Sequence, residues 1–275
     1  MMDDHSRIGR HVFGVGAILL GASGLVWGEF ATNWHPMQDW MPFQTALAYL
    51  AATAFLVGGL AVLWRRTAGV GLLVLAGVYL FGTMLWLPRV INYPQLFGVW
   101  SGSAEHFAPF VAALMAYAAA GRRWPAPAML AARVVFGLCI ASFGIAHFTA
   151  VPQTAGMVPG WLPLGGRFWA LATGWAMLLA GLALVSGILA PLAAWLLTAL
   201  LMSFAVFVWL PRIFSAPNEH NPWAGTGITL AAAGAAWMVA EVLARRHVEN
   251  RGPAPTTGYE SGARRTPQPQ TETQP

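Results

Sequence analysis

The chain has 275 residues, of which 57% are hydrophobic and only 9% charged, and its formal net charge is +5. Soluble domains carry about 25% charged residues, so this composition belongs to a membrane protein and not to a soluble one. The positive charge does not point to nucleic acid, because no basic helix face or base-stacking motif accompanies it.

Eight apolar runs follow in order: 11–31, 46–64, 68–87, 104–120, 131–148, 168–190, 192–210 and 223–240. A bilayer core needs ~20 apolar residues per helix, and each run approaches that length. The fourth is interrupted by Glu105, His106 and Pro109, and the fifth is flanked by Arg133 and His147. The runs are rich in Ala, Leu and Gly and lack the period-two alternation of barrel strands, so helices are expected throughout. The first run could pass for a signal peptide. It is expected to stay as a helix, because an internal run is its counterpart.

That counterpart exists because the chain repeats itself. Trp86-Leu87-Pro88-Arg89 recurs 123 residues later as Trp209-Leu210-Pro211-Arg212. The same offset carries Arg10, Phe13 and Gly14 onto Arg133, Phe136 and Gly137, and Trp100 and Gly102 onto Trp223 and Gly225. Trp40-Met41-Pro42 returns as Trp161-Leu162-Pro163 with a two-residue slip. Self-similarity of this kind defines the architectural unit. The expected fold is all-α: eight transmembrane helices in two parallel-repeat four-helix bundles. The first module is 1–121, a linker 122–128 follows, the second module is 129–246, and 247–275 is a disordered tail too polar to bury itself.

Charge sets the orientation. All fifteen basic residues are Arg. In an eight-helix alternation only Arg89, Arg167 and Arg212 fall on one side, so the positive-inside rule makes both termini cytoplasmic. The other face carries the longer connections, 32–45, 88–103, 151–167 and 211–222, and nearly all the repeated motifs. Ser103 with Glu105, and Asn221-Pro222, read as helix starts. Gly24 and Gly28 read as a site of close helix approach.

The candidate site residues lie at that outer face. Arg89 and Arg212 each follow Trp-Leu-Pro, and a guanidinium fork suits oxyanions or quinone oxygens. Their other reading is snorkelling to the interface beside Trp86 and Trp209. Glu29 and His147 each precede a Phe near the outer end of a first helix. They read as a proton-handling pair, or Glu29 as an ion-pair partner of Arg89. Glu105-His106 and Glu219-His220 repeat a dipeptide and are weaker candidates. Among His35, His106, His147 and His220 no His-x-x-x-His or His-x-x-Glu spacing appears, so no metal site is expected. Paired haem ligation on facing helices stays open. Most of the fourteen Trp residues read as belt anchors. Cys139 is the single cysteine, which excludes an internal disulfide and leaves a helix-packing role.

The second module carries Phe143-Gly144-Ile145-Ala146-His147-Phe148, then Met157-Val158-Pro159-Gly160-Trp161-Leu162-Pro163, then Thr173-Gly174-Trp175-Ala176 and Gly181-Leu182. These stretches resemble the DoxX-like family of small bacterial four-helix membrane proteins. That family's second helix has the shape Thr-Gly-x-x-Glu-x-x-x-Gly. Here no Glu is present, and Trp175 and Met177 occupy its neighbourhood. The first module resembles the family only through the repeat. The resemblance implies a bacterial inner-membrane location and a link to membrane redox complexes, among them a thiosulfate:quinone oxidoreductase. Thiol–disulfide chemistry is disfavoured by the lone cysteine.

Two functions follow. One is a redox-associated protein that binds quinone or a small anionic substrate at the outer face. There Arg89 and Arg212 would orient oxygens while His147 and Glu29 exchange protons. Its partners would be the lipid bilayer and a periplasmic or membrane redox protein, with no nucleic acid. The other is a non-enzymatic scaffold or a lipid- or solute-transport protein in which the charges are structural.

Overall fold

The computed structural model of the chain describes residues 8–121 and 124–251, with side chains up to residue 249. Arg7, Arg122, Arg123, Arg264, Arg265 and the tail beyond residue 251 lie outside the described residues. Among the described residues every regular element is helical: α1 (Ile8–Trp27), α2 (Gln44–Leu63), α3 (Ala68–Asn92), α4 (Phe97–Ala119), α5 (Ala126–Thr149), α6 (Val151–Met157), α7 (Gly165–Ser186), α8 (Ala190–Phe204), a π-helical turn (Ala205–Trp209), α9 (Leu210–Ser215) and α10 (His220–Arg251). Among the described residues seven helical stretches are long and apolar enough to cross a membrane: α1, α2, α3, α5, α7, the continuous stretch Ala190–Ser215, and α10. The fourth expected run is a helix of 23 residues but is not among the seven. Ser101, Ser103, Glu105, His106 and Pro109 dilute its apolar character.

The outer connections are shorter than expected, because helices continue through the prolines. α3 runs past Pro88 to Asn92, and α4 starts at Phe97 with Leu96 as its N-cap. Ser103 and Glu105 therefore sit beyond the first turn and cap nothing. Pro88 forfeits one backbone hydrogen bond. At Pro211 the ladder instead widens into the π-turn, and the proline falls in the first turn of α9, where its missing N–H is harmless. Asn221 and Pro222 lie inside the first turn of α10 and not ahead of it. Residues 151–157, expected as loop, form α6. Among the described residues only 28–43 stays non-helical as a long connection. Gly28 opens it with φ +66° and donates to the Gly24 carbonyl at 2.9 Å, so it ends α1. A Cβ there would stand 2.6 Å from the Tyr49 hydroxyl, and one on Gly24 would stand 2.8 Å from the Ala52 Cβ, so both glycines let α2 come close, as the sequence suggests.

Small residues set the packing, as expected where lipid removes any hydrophobic drive between helices. α1 lies against α2 and α10, α5 against α7 and α4, and α3 against α4. A Cβ added to Gly234 would stand 2.2 Å from the backbone N of Phe13, and one on Gly16 would stand 2.4 Å from that of Ala231. Only glycine permits that approach of α1 to α10. α5 and α7 meet in the same way through Gly137, Gly144 and Gly181.

Local geometries recur at the offset found in the sequence. Trp100 Nε1–H donates to the Pro94 carbonyl at 2.9 Å, and Trp223 Nε1–H to that of Pro217 at 2.9 Å. Arg89 lies over the Trp86 ring at 5.7 Å and Arg212 over Trp209 at 5.1 Å. Gly102 is pressed against the Trp86 indole and Gly225 against that of Trp209. Phe43 and Leu164, at the starts of α2 and α7, both take the left-handed region, with φ 56° and 71°.

Candidate functional site

A cavity of about 730 Å³ lies between α4, α5, α7, α10 and the stretch from α8 through the π-turn. Its wall on α5 runs from Phe136 to His147, eleven residues or roughly 16 Å of helix. By their places on the helices and the 28–43 connection, Asn33, Ser101, Glu105, Thr154 and Thr173 lie toward the His147 end, and Ser203 and Thr229 are further polar lining residues. Phe136, Ile140, Leu201 and Ala235 make the deeper end apolar. The π-turn re-aims the side chains at its level, and Phe207, Val208 and Trp209 all face the space.

Two ionisable groups line it. His147 donates from Nδ1–H to the carbonyl of Phe143 at 2.7 Å, which leaves Nε2 as an acceptor. Its ring stacks on Phe204 at 6.3 Å. Glu105 reaches the cavity from α4. Among the described residues no arginine lines it.

The sequence-predicted residues divide. His147, Glu105, Trp86 and Trp209 line the cavity. Arg89 and Arg212 do not: each folds over the Trp three residues before it, as an interfacial arginine does. Glu29 does not meet Arg89 or join His147. It is 63% exposed and stands 3.6 Å from His220, whose ring stacks on Trp27 at 5.1 Å. Glu219 is exposed and does not line the cavity, so the two Glu-His dipeptides serve different places. His106 is fully buried behind the wall, where its Nε2–H and the Trp86 Nε1–H both donate to the carbonyl of Trp34, each at 2.8 Å. Trp34 and Trp86 are thus core residues and not belt anchors. Cys139 is buried and free, as a packing residue would be. Among the described residues no group of three or more His, Cys, Asp or Glu could hold a metal ion.

A second, much smaller pocket of about 20 Å³ lies on the α1–α2 side, lined by Ser23, Glu29, His35, Phe55 and His220 among others. His35 comes from the 28–43 connection and is buried. Its ring lies 4.8 Å from His106 and 5.5 Å from Phe30. Burial, and secondly the neighbouring His106, hold the His35 imidazole well below the usual histidine range, against a raising backbone contact at Ala31. His35 Nδ1, His106 Nδ1 and the Tyr79 hydroxyl are buried without a hydrogen-bond partner. Sequence reading passed over Tyr79, although a tyrosine in the middle of an apolar run is itself a signal.

Residues 128–210 match the DoxX family model. This stretch is a DoxX domain. No curated protein and no solved structure matches the chain significantly. The DoxX domain supplies α5, α6, α7, α8 and the π-turn, which is most of the cavity wall. α4 and α10, outside it, supply Glu105 and Thr229. Met177 lines the same cavity, in the stretch where the family's second helix carries an acid. The carboxyl of this cavity thus comes from α4.

Proposed function

We propose that this DoxX-domain protein spans the bacterial inner membrane eight times, as two tandem four-helix modules with both termini cytoplasmic. Its cavity would bind a quinone. α4 is the eighth span: at 23 residues it is roughly 34 Å long, enough for a ~30 Å hydrocarbon core. The recurring Trp, Arg and Gly geometries support the duplication. Arg10, Arg65, Arg66, Arg133, Arg245 and Arg246 against Arg89, Arg167 and Arg212 support the orientation.

The observation that carries the quinone reading is the cavity's polarity gradient. A headgroup fits the end that holds Glu105, His147 and the Trp indoles, and an apolar tail fits the end at Phe136 and Leu201. The free Nε2 of His147 can accept a hydrogen bond from a hydroquinone O–H. An anionic substrate suits the site less well, because a carboxyl lines it and no guanidinium does. The electron donor would be a membrane or periplasmic redox partner.

The test is titration of full-length protein in lipid nanodiscs with a short-chain benzoquinone, followed by Trp fluorescence. Saturable quenching is expected, weakened about tenfold in His147→Leu or Glu105→Gln, the equivalent of about 1.4 kcal/mol. Absence of saturation, or unchanged affinity in both variants, contradicts the reading. If the protein instead retains phospholipid that benzoquinone does not displace, the lipid-transport alternative takes its place.

A further inference from the structure

The two pockets occupy corresponding places in the two modules. Leu20, Ser23 and Ala224 line the small pocket, and Phe143, Ala146 and Ser101, each 123 residues away, line the large cavity. α2 and α7 correspond with an offset of 122: Gly59 packs on the Gly14 carbonyl while Gly181 packs on that of Gly137. That offset carries Ala51 and Phe55 of the small pocket onto Thr173 and Met177 of the large one.

The difference is what fills the space. In the first module Phe30, Ala31, Trp34, His35 and Pro36 of the 28–43 connection are buried. The His35 ring sits among His106, Phe55 and Phe30, at 4.8, 6.4 and 5.5 Å. In the second module no residue from 151 to 164 is buried, and Thr154 and Met157 of that segment border the open cavity. The positions of Phe55 and His106 hold Met177 and Thr229 there. Trp34 touches both sides, since its carbonyl holds His106 while its side chain lies by Trp209, 5.4 Å between rings.

We infer that these are one pocket in two forms, closed in the first module by the chain's own His35 and open in the second to a separate ligand. The ligand's flat ring takes the place corresponding to the His35 imidazole, bordered by Met177, Thr229 and His147. The ligand class is a planar ring with a polar edge, and Met177 and Thr229 are the residues that keep room for it. This deepens the quinone reading and rests on the duplication proposed with it.

The test uses two planar probes, benzimidazole and a short-chain benzoquinone, titrated into full-length protein in nanodiscs. The variants Met177→Phe, Thr229→His and the pair restore the first module's side chains to the second. The expected result is one saturable site per chain for benzimidazole, with affinity at least tenfold lower in the double variant. Its thermal midpoint should equal or exceed that of the parent, because a cavity has been filled with side chains the first module already accommodates. If the double variant fails to fold, the single Met177→Phe variant must still show the loss. Failure of benzimidazole to bind, or binding indifferent to all three variants, overturns the inference. Binding of benzimidazole but not benzoquinone, with the same loss in the variants, upholds the inference and removes the quinone reading.

Discussion

The Nε2–H of His106 on α4 donates to the backbone carbonyl of Trp34, in the connection after α1, at 2.8 Å. One bond therefore ties the 28–43 connection to α4, and it fixes the tautomer of a fully buried histidine. Because the Trp86 indole N–H shares the same carbonyl, the wall of the large cavity and the closed pocket behind it are held at one atom. Trp86→Phe should cost about 1 kcal/mol, since His106 still satisfies the carbonyl. His106→Leu combined with Trp86→Phe orphans it and should cost more than the sum of the single variants, by about 1–3 kcal/mol. Denaturation of the four proteins of this cycle in detergent measures the coupling.

The buried His35 makes stability fall in acid. Its folded-state affinity for protons is depressed by burial first and by His106 second, with His220 adding to the effect. An unfolded histidine titrates near 6.5. Below that pH the unfolded chain takes up a proton that the folded chain refuses. The contribution is therefore fully present above about 6.5 and is lost as pH falls from there toward the folded-state value. The slope approaches 1.4 kcal/mol per pH unit. Thermal midpoints of the parent and His35→Phe, measured from pH 7.5 to 5, should converge as pH falls. Parallel curves would show that the fold does not lower the proton affinity of His35.

Glycine placement predicts opposite signs for one substitution. At Gly234 a Cβ would collide with the Phe13 backbone at 2.2 Å, whereas at Gly77 in α3 nothing lies within 4 Å. Gly234→Ala should destabilise by about 1–3 kcal/mol through α1–α10 separation. Gly77→Ala should stabilise by about 0.5–1 kcal/mol through helix propensity. Thermal melts of the two variants side by side give the answer.

Arg89 and Arg212 should be dispensable for ligand binding. Their guanidiniums lie over Trp86 and Trp209 and away from the cavity. Arg89→Ala and Arg212→Ala should leave benzoquinone affinity within about threefold of the parent, under 0.7 kcal/mol. A loss as large as that expected for His147→Leu would return the arginines to the site.

The eight-span topology is open to labelling. In a Cys139→Ser background, single cysteines replacing Arg66 and Gly121 should react with a membrane-impermeant maleimide from one face, and those replacing Tyr93 and Pro217 from the other. If position 121 reacts from the same face as position 93, α4 does not cross.

Much of the helical layout was legible because long apolar runs carry their own length scale. Helix ends were less legible. Pro88 and Pro211 read as terminators, yet each helix runs on, by forfeiting one hydrogen bond at Pro88 and by a π-turn at Pro211. Neither accommodation has a sequence signature. The site was half legible. His147 and Glu105 stand out as ionisable groups in apolar surroundings, and both line the cavity. Arg89 and Arg212 stand out for the same reason and do not, because a long side chain near a helix end can turn back over its own tryptophan. Tyr79 escaped notice, and His35 reads only as a metal ligand. The burial of His35 depends on how 28–43 folds over the helices, and that of Tyr79 on Phe13, Phe55 and His106 from three other helices, long-range facts that no local pattern states.

The central claim is that the cavity holds a quinone, and the direct measurement is mass spectrometry of an organic extract of full-length protein purified in native lipid nanodiscs. Close to one quinone per chain, falling severalfold in Met177→Phe/Thr229→His, is the result this account predicts. Parent protein that carries no more quinone than empty nanodiscs from the same membranes would contradict it.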